Sequence, residues 1–157
     1  MRVFGLLAVV AALFAAAACG NGGEDDGRVR LVVESADGER VAEVWAEIAA
    51  TNEERRIGLS GRDELDEDAG MLFLFDGVPT ATPFWMRDTR IPLDIAFLGR
   101  DGRIQEIRRG EPFDETLIQP EQPHWYVLEV NAGWFEAQGI GVGGRVEIPG
   151  ELTGEAR

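Results

Sequence analysis

The sequence predicts a single, mainly β domain, folded as a β-sandwich or a partly closed barrel with one or two short helices. Short segments rich in β-branched and aromatic residues outnumber the segments of helical periodicity. Glycine and proline turn signals separate these segments along the 157 residues. The 45% hydrophobic content is enough for one ordinary core. The predicted strands cover residues 28–34, 41–49, 71–75, 93–98, 103–109, 125–130 and 142–148.

The first two strands are expected to pair as a hairpin. An Asp-Gly dipeptide at 37–38 lies between them, and this dipeptide is a strong hairpin signal. Thr51 and Glu54 then stand three residues apart, which is the spacing of a capping box. The pattern predicts a short helix over residues 52–59 that ends near Gly61.

The centre of the chain combines two apolar strands with a broken segment between them. Residues 71–75 form a continuous apolar run, typical of a buried strand, and the Pro/Thr-rich residues 77–83 interrupt it. Extended structure resumes at 84–86, and 93–98 is the next strand. A second Asp-Gly turn, at 101–102, then predicts a second hairpin.

The last third of the domain carries one more strand, a short helix and a final strand. Residues 125–130 have strand composition, and Asn131 is a residue type that caps helices. We therefore expect a short helix within 132–138, ending at Gly139. The final strand is expected over 142–148.

The amino terminus resembles a bacterial export signal. Residues 1–19 contain one arginine followed by an almost entirely apolar run, which is shorter than the roughly 20 residues that span a bilayer. Cys19 follows three alanines, as in a lipobox, where this cysteine carries diacylglycerol; ordinary cleavage and secretion is the alternative. Residues 20–28 would be a flexible linker, 29–150 the β domain, and 151–157 a disordered tail.

The charge of the chain limits its partners. The formal net charge is -14, and all 15 basic residues are arginine. Such a surface repels phosphate, so we expect no nucleic-acid partner. The expected partners are a small polar ligand or an envelope protein, with the membrane contacted through the lipid on Cys19. The absence of lysine excludes Schiff-base chemistry.

Few residues could support nucleophilic or metal chemistry. His124 is the only histidine, and the sequence has no GxSxG motif to provide a serine partner. A Cu(I) site could use Met71, Met86 and His124, because thioethers suit that ion. Methionine is also a common core residue, and we prefer that interpretation of both. We predict no metal and no cofactor.

Two acids lie inside predicted strands. Asp94 and Glu129 are flanked by apolar residues, and a buried acid must be paired or protonated. Arg62, Arg87 and Arg90 are the expected partners in a structural network. The alternative is a glycosidase-like pair of carboxyl groups, about 5 to 9.5 Å apart across one cleft.

A third hypothesis is ligand binding at the rim of the fold. Trp85 is followed by Arg87, Asp88 and Thr89, and Glu129 could join them from a strand. Aromatic rings beside a few polar groups are typical of sites for sugars or small polar ligands. Trp125 and Trp134 could contribute further platforms, or could simply be core residues.

Several strings of the sequence resemble domain-of-unknown-function family 192. The resemblance covers roughly residues 41–148 and is carried by RIGL, GMLFLF, FWMRDT, IPLDIAF, DGRI, VLE and AGW, in this order. It implies a small mainly β domain, often behind a signal peptide, with no established activity. The signature polar residues carried over by the resemblance are Arg62, Arg87, Asp88, Thr89, Asp94 and Glu129. This chain differs in having Ser60 where methionine is frequent, Asp88 where asparagine is usual, and Gly144 where aspartate is common.

Together these observations predict an exported, lipid-anchored domain of the cell envelope that binds or assists without catalysis. The alternative is a carboxylate-dependent hydrolase that acts on cell-wall or glycan material. The candidate ligand-binding residues are Arg62, Trp85, Arg87, Asp88, Thr89, Asp94 and Glu129.

Overall fold

The computed structural model describes residues 27–153, which form one seven-stranded sheet with two short α-helices and a 3-10 turn. The strands are β1 (Val29–Glu34), β2 (Val41–Ala49), β3 (Ala69–Leu74), β4 (Leu93–Leu98), β5 (Ile104–Gly110), β6 (Tyr126–Asn131) and β7 (Arg145–Glu147). The helices are α1 (Asn52–Ile57) and α2 (Trp134–Gln138), and the 3-10 turn covers Gly150–Leu152. Within the described residues, no helix has the length and apolar character needed to span a membrane.

The strand order in the sheet is β5-β4-β6-β3-β2-β1-β7. Every pair is antiparallel except β2 and β3, which run parallel. A parallel pair needs a long crossover, and the connection that contains α1 provides it. Both predicted hairpins, β1–β2 and β4–β5, are present.

The sheet curls until its two edge strands meet at one end, forming a half-barrel. Arg103 and Arg145 form an isolated antiparallel bridge beside β5 and β7, and the Val146 amide donates to the Gly102 carbonyl at 2.9 Å. Gly102 has φ +77, and a Cβ there would collide with the Val146 carbonyl oxygen. Of the two predicted architectures, the partly closed barrel is therefore the one observed.

Apolar side chains cover both faces of the sheet. One face, here called the α2 face, packs Leu31, Leu72 and Leu128 against Trp134 and Phe135 of α2. On the other, the loop face, Phe73, Phe97 and Val127 pack against Leu59 and Met86 from the connecting segments. Loops on this second face thus replace the second sheet of a sandwich.

The main correction to the predicted elements concerns the start of α2. Asn131 is the last residue of β6, and its side-chain amide donates to the carbonyls of Leu65 and Asp66 at 3.1 and 2.9 Å. The N-cap is Gly133, with no side-chain cap. Asn131 does not cap the helix because strand pairing with Leu93 holds it in the sheet.

Some predictions fall on residues that the structure does not describe. The signal segment, Cys19 and nearly all of the linker lie within 1–26, and residues 154–157 of the predicted tail also lie outside the described part. The first residues of that tail belong to the 3-10 turn Gly150–Leu152.

Candidate functional site

A cavity of about 370 Å³ lies on the loop face, between α1, β3 and the segment 82–89. Apolar walls come from Leu59, Phe73, Phe75, Phe84 and Trp85, among others. Glu129 reaches the cavity from β6 in the sheet. The polar residues of the lining are, besides Glu129, Asn52, Arg55, Arg56, Ser60, Thr82 and Thr89. A concave site that combines apolar walls with placed polar groups is the usual form of a small-molecule site.

Helix α1 forms one side of the cavity, and its local sequence determines where it begins and ends. The predicted capping box is present: Thr51 Oγ1 accepts from the Glu54 amide at 3.1 Å, and Glu54 Oε2 accepts from the Thr51 amide at 2.8 Å. The helix ends at Gly58, which has φ +50. This positive φ favours glycine, and a Cβ at Gly58 would be in contact with the Phe73 ring, 3.4 Å from its Cζ.

The opposite side is the segment 82–89, which backbone hydrogen bonds attach to the loop after β5. Phe84 exchanges hydrogen bonds with Ile118 at 3.1 and 2.8 Å, and the Met86 amide donates to the Asp114 carbonyl at 2.8 Å. The Arg87 guanidinium stacks on the Trp85 ring, 3.8 Å from its centroid. These contacts hold Trp85, 40% exposed, at the wall.

Two residues after Met86, the chain turns through Asp88, which has φ +56. The carbonyl of Asp88 accepts from the Gly61 amide at 2.8 Å, and the carbonyl of Arg87 accepts from the Ser60 hydroxyl at 3.2 Å. This left-handed turn therefore ties the segment to the end of α1. Thr89 follows, buried at the cavity, with its hydroxyl donating to the Arg87 carbonyl at 3.3 Å.

Glu129 is the buried acid of the site. It is 5% exposed and pairs in register with Met71 on β3 and Ile95 on β4. No side chain or amide within residues 27–153 donates a hydrogen bond to its carboxyl group. Burial raises the pKa of Glu129 to about 8, because ionisation without a partner is costly away from water. The group is therefore a neutral carboxylic acid at pH 7.

His124 lies deeper on the same face, inside a cage of aromatic rings. It is completely buried, and its ring centroid lies 5.2, 6.4 and 5.0 Å from those of Phe75, Phe84 and Phe97. Neither ring nitrogen has a hydrogen-bond partner in the described part of the chain. Burial lowers the pKa of His124 to about 4, so the imidazole is neutral.

The serine triad considered for His124 is not formed in the described part of the chain. A serine triad would need a hydroxyl on one of its nitrogens, and no described hydroxyl is there. Met71 and Met86 are buried members of the loop-face core. Across residues 27–153, no group of three or more His, Cys, Asp or Glu side chains could hold a metal ion.

The structure brings together three of the seven predicted site residues. Trp85, Thr89 and Glu129 line the cavity. Arg87 and Asp88 do not line it, but they shape the wall through the stacking and the left-handed turn. The two remaining candidates, described next, lie elsewhere.

Arg62 and Asp94 each make a separate ion pair. Arg62 binds Glu47 with two hydrogen bonds of 2.6 and 2.7 Å. Asp94 lies on the α2 face, where it accepts from Arg109 Nε and from the Gly133 amide, both at 2.8 Å. Arg62, Arg87 and Arg90 were wrong as partners for the buried acids, since they pair with Glu47, Glu115 and Asp63. Arg109 pairs with Asp94 because the β4–β5 hairpin sets the two directly opposite each other.

Asp94 and Glu129 do not form an acid pair. On β4 and β6, Asp94 is opposite Val130 and Ile95 is opposite Glu129. Successive residues of a strand point to opposite faces, so the two carboxyl groups are on opposite sides of the sheet. They cannot flank one bond, as a glycosidase pair must.

The sequence reasoning missed most of the cavity wall. The missed lining residues include Asn52, Arg55, Arg56, Gly58, Leu59, Ser60, Phe73, Phe75, Thr82, Pro83 and Phe84. One available signal was the α1 capping box, because a short helix between two strands must lie over a sheet face. The side chains of β3 gave no signal, since a continuous apolar run does not tell which residues face a cavity.

Comparison with known proteins identifies the family. A family model described as "Uncharacterized ACR", DUF192, matches residues 32–148. The chain belongs to this family. The membership confirms the resemblance seen in the sequence, and it brings no known activity with it. The comparison with curated proteins gives no match.

Two solved structures are similar to this DUF192 domain. One is a proposed transcription regulator from Sinorhizobium meliloti 1021, with 36% identity, a TM-score of 0.73, and coverage of 76% of this chain and 92% of that one. Another is a protein of unknown function from Novosphingobium aromaticivorans DSM 12444, with 38% identity, a TM-score of 0.71, and coverage of 77% and 85%. The mainly β fold is thus shared with structures of uncharacterized proteins.

Ser60 and Asp88, two positions where the resemblance implies another residue, lie on the cavity wall and behind it, respectively. Ser60 lines it and donates to the Arg87 carbonyl. Asp88 has the left-handed backbone that asparagine adopts most readily among non-glycine residues, and aspartate is the nearest substitute.

Proposed function

We propose that this DUF192 protein is a non-enzymatic binding module of the cell envelope, held at the membrane by a lipid on Cys19, and that it binds a small organic ligand. The observation that carries the proposal is the loop-face cavity, with aromatic walls and the buried carboxyl group of Glu129. Its volume of about 370 Å³ falls in the range of ligand sites.

Binding is favoured over catalysis by the polar groups around the cavity. Arg55 donates to the carbonyls of Ala50 and Leu74, and Arg56 pairs with Glu53. The Ser60 and Thr89 hydroxyls donate to a backbone carbonyl instead of a base. The hydroxyl of Thr82, which also lines the cavity, is hydrogen-bonded to that of Thr80. No hydroxyl among the described residues that line the cavity is therefore hydrogen-bonded to a histidine or a carboxylate, the arrangement that activates a nucleophile.

The hydrolase alternative receives no support from the placement of the two acids. Asp94 is bound to Arg109 on the α2 face, and Glu129 is on the loop face. A single acid in an apolar cavity can hydrogen-bond a ligand, but it lacks the second carboxyl group of a glycosidase.

Export and lipid anchoring rest on the amino-terminal sequence, in which Cys19 follows an apolar run and precedes GNGGEDDG. The net charge of -14 disfavours nucleic acid. For that reason we do not transfer to this chain the regulatory role for which the Sinorhizobium protein is named.

The binding function can be tested with a small-molecule fragment screen followed by thermal unfolding and NMR. A ligand at 100 times its dissociation constant should add about 2.7 kcal/mol to the free energy of unfolding. Trp85→Ala should weaken binding, whereas Trp45→Ala is the matched control, because Trp45 is also exposed but does not line the cavity. Absence of any fragment at the cavity, or equal effects of the two variants, would refute the proposal.

Lipid anchoring has a separate test. A bacterial host fed with an alkyne-labelled fatty acid should incorporate the label into the wild-type protein and not into Cys19→Ala. The variant should also move from the membrane fraction to the soluble extracytoplasmic fraction. Unlabelled wild-type protein would contradict the anchor without affecting the binding site.

A further inference from the structure

Resting on the proposed binding function, we propose that the ligand is a small amine, an organic cation whose ammonium group binds the Glu129 carboxyl group between the aromatic walls of the cavity. Three features of the site indicate this ligand class. They are an acid to which no described residue donates, a set of aromatic rings, and arginine side chains that are already paired with other acids.

The first feature is the contrast between the two buried acids of the domain. Asp94 and Glu129 are both 5% exposed. Asp94 has a cation and an amide, since Arg109 and Gly133 donate to it at 2.8 Å. Glu129 has no donor from the described residues, and it lines the cavity. The carboxyl group of Glu129 therefore takes its hydrogen bonds from whatever enters the cavity, which is either water or a ligand with a donor.

The second feature is the surrounding rings. Phe73, Phe75, Phe84 and Trp85 all line the cavity that Glu129 reaches. The Phe73 and Phe84 rings are 5.1 Å apart in an edge-to-face arrangement. Aromatic faces carry negative charge density and attract cations, and ammonium ligands are commonly bound by rings combined with an acid. A carboxylate ligand would be repelled by the ring faces, and it could accept only the single O–H of the protonated Glu129.

The third feature is that the charged groups near the cavity are already paired with one another. On α1, Arg55 forms an ion pair with Asp76 at 3.7 Å and Arg56 binds Glu53 at 2.6 Å. On the sheet, Glu47 shares the loop face with Glu129 and binds Arg62.

The remaining neighbours supply no cation to Glu129 either. Beyond the cavity wall, Arg87 pairs with Glu115 at 2.9 Å. On β4 the residue opposite Glu129 is the apolar Ile95, and the cavity residue Thr89 is uncharged. No fixed cation of the described residues therefore neutralises Glu129, while the net charge of -14 attracts cations to the protein as a whole.

Binding of an ammonium ion would displace a proton from the site. Without an ammonium ion beside it, Glu129 has a pKa that burial raises to about 8, so the carboxyl group is protonated at pH 7. The charged ligand favours the carboxylate, so Glu129 loses its proton to solvent and an ion pair with the ammonium forms. Below pH 8 the affinity should rise by up to about tenfold per pH unit, with release of about one proton per ligand.

Three probes of similar shape test the inference: 2-phenylethylamine, 2-phenylethanol and phenylacetate. Calorimetry at pH 6, 7 and 8, in buffers of different ionisation enthalpy, measures both affinity and proton release. We expect the amine to bind at least about tenfold more tightly than the alcohol at pH 8, and phenylacetate to bind most weakly. The amine stays protonated in this range, so the pH dependence reports on the protein.

Glu129→Gln is the decisive variant, because it keeps the shape of the side chain and removes its charge. It should lose the preference for the amine and the proton release, and should still bind 2-phenylethanol. Asp94→Asn is the matched control, since it neutralises a buried acid on the opposite face and should keep the preference. Retained binding of the alcohol shows that a variant is folded.

The outcomes separate the ligand class from the binding function. Equal or tighter binding of 2-phenylethanol or phenylacetate to the wild type would overturn the amine and leave the binding function intact. Retention of the amine preference in Glu129→Gln would do the same. If the amine does not bind at millimolar concentration, the proposal of an amine ligand is refuted. The binding function then stands if the fragment screen finds other ligands of the cavity, and it is refuted as well if the screen finds none.

Discussion

Glu129→Gln should change how the stability of the domain depends on pH. The carboxyl group is 5% exposed, and burial raises its pKa from the ordinary 4.5 to about 8. Between these values the unfolded chain ionises Glu129 while the native chain keeps the proton. A raised pKa of this kind stabilises the native state fully below about pH 4.5, and the contribution is lost as the pH rises through about 8.

The size of the effect follows from one proton. Because the native state binds about one proton more than the unfolded state, the free energy of unfolding falls by about 1.4 kcal/mol per pH unit in this window. Between pH 5 and pH 8 the loss from this group amounts to about 3 to 4 kcal/mol. Glutamine does not titrate. The difference in free energy of unfolding between the variant and the wild type should therefore change by that amount between pH 5 and pH 8, in favour of the variant at high pH.

Urea unfolding followed by tryptophan fluorescence at pH 5, 6, 7 and 8 measures this difference directly, since the chain contains 4 tryptophans. Thermal unfolding should show a relative shift of roughly 10 °C over the same range. The subtraction of wild type from variant removes the contribution of the other acids, including the general repulsion from the net charge of -14.

Glu43→Gln is the control for this experiment. A hydrogen bond from Arg30 keeps the pKa of Glu43 below 4.5, so this acid is ionised in both states above about pH 5.5. The free energy of unfolding of Glu43→Gln, plotted against pH, should therefore run parallel to that of the wild type. If the Glu129→Gln curve also runs parallel, Glu129 is ionised in the native state, and the proton release expected on amine binding would be refuted with it.

Three further variants test other parts of the structure. His124→Phe should gain stability relative to the wild type by about 1.4 kcal/mol per unit as the pH falls from 6.5 to about 4, because burial lowers the pKa of His124 and its protonation then favours unfolding; parallel urea unfolding curves would contradict this. Asp94→Ala should lower the free energy of unfolding by about 2 to 4 kcal/mol, since it leaves the half-exposed Arg109 and the Gly133 amide without their acceptor. Calorimetry should show unchanged affinity for a cavity ligand, and reduced affinity in the folded variant would show that Asp94 belongs to the site. Gly58→Ala should cost about 1 to 2 kcal/mol, because an L residue is strained at φ +50, and it should weaken ligand binding, because Gly58 lines the cavity. An unchanged unfolding midpoint would refute the strain.

The partner of Asp94 could have been predicted from the sequence. The Asp-Gly turn at 101–102 implies a hairpin, and counting outward from a two-residue turn places Arg109 opposite Asp94, as observed. The register shifts only next to the turn, between Phe97 and Leu98. The prediction of Arg62, Arg87 and Arg90 was wrong because opposite charge alone does not determine which residues pair. The register of the hairpin does.

The start of α2 shows where local sequence rules fail. Asn131 has the right side chain for a cap, but pairing with Leu93 keeps it in β6. The helix begins two residues later, and the amide of Gly133 donates to Asp94 on a distant strand. This tertiary hydrogen bond holds the N-cap residue in place while the first-turn amides have no side-chain cap, and no sequence window around the helix contains that information.

The sequence by itself determined the mainly β class, both hairpins and the capping box of α1, because each depends on residues close together in the chain. Only the tertiary structure decided the site. The pairing of Ile95 with Glu129 joins β4 to β6, which are separated in the chain by β5 and the long loop after it, and this pairing puts Asp94 and Glu129 on opposite faces. The cavity is assembled from α1, β3, the segment 82–89 and β6, so the burial that keeps Glu129 protonated appears only when these segments pack together.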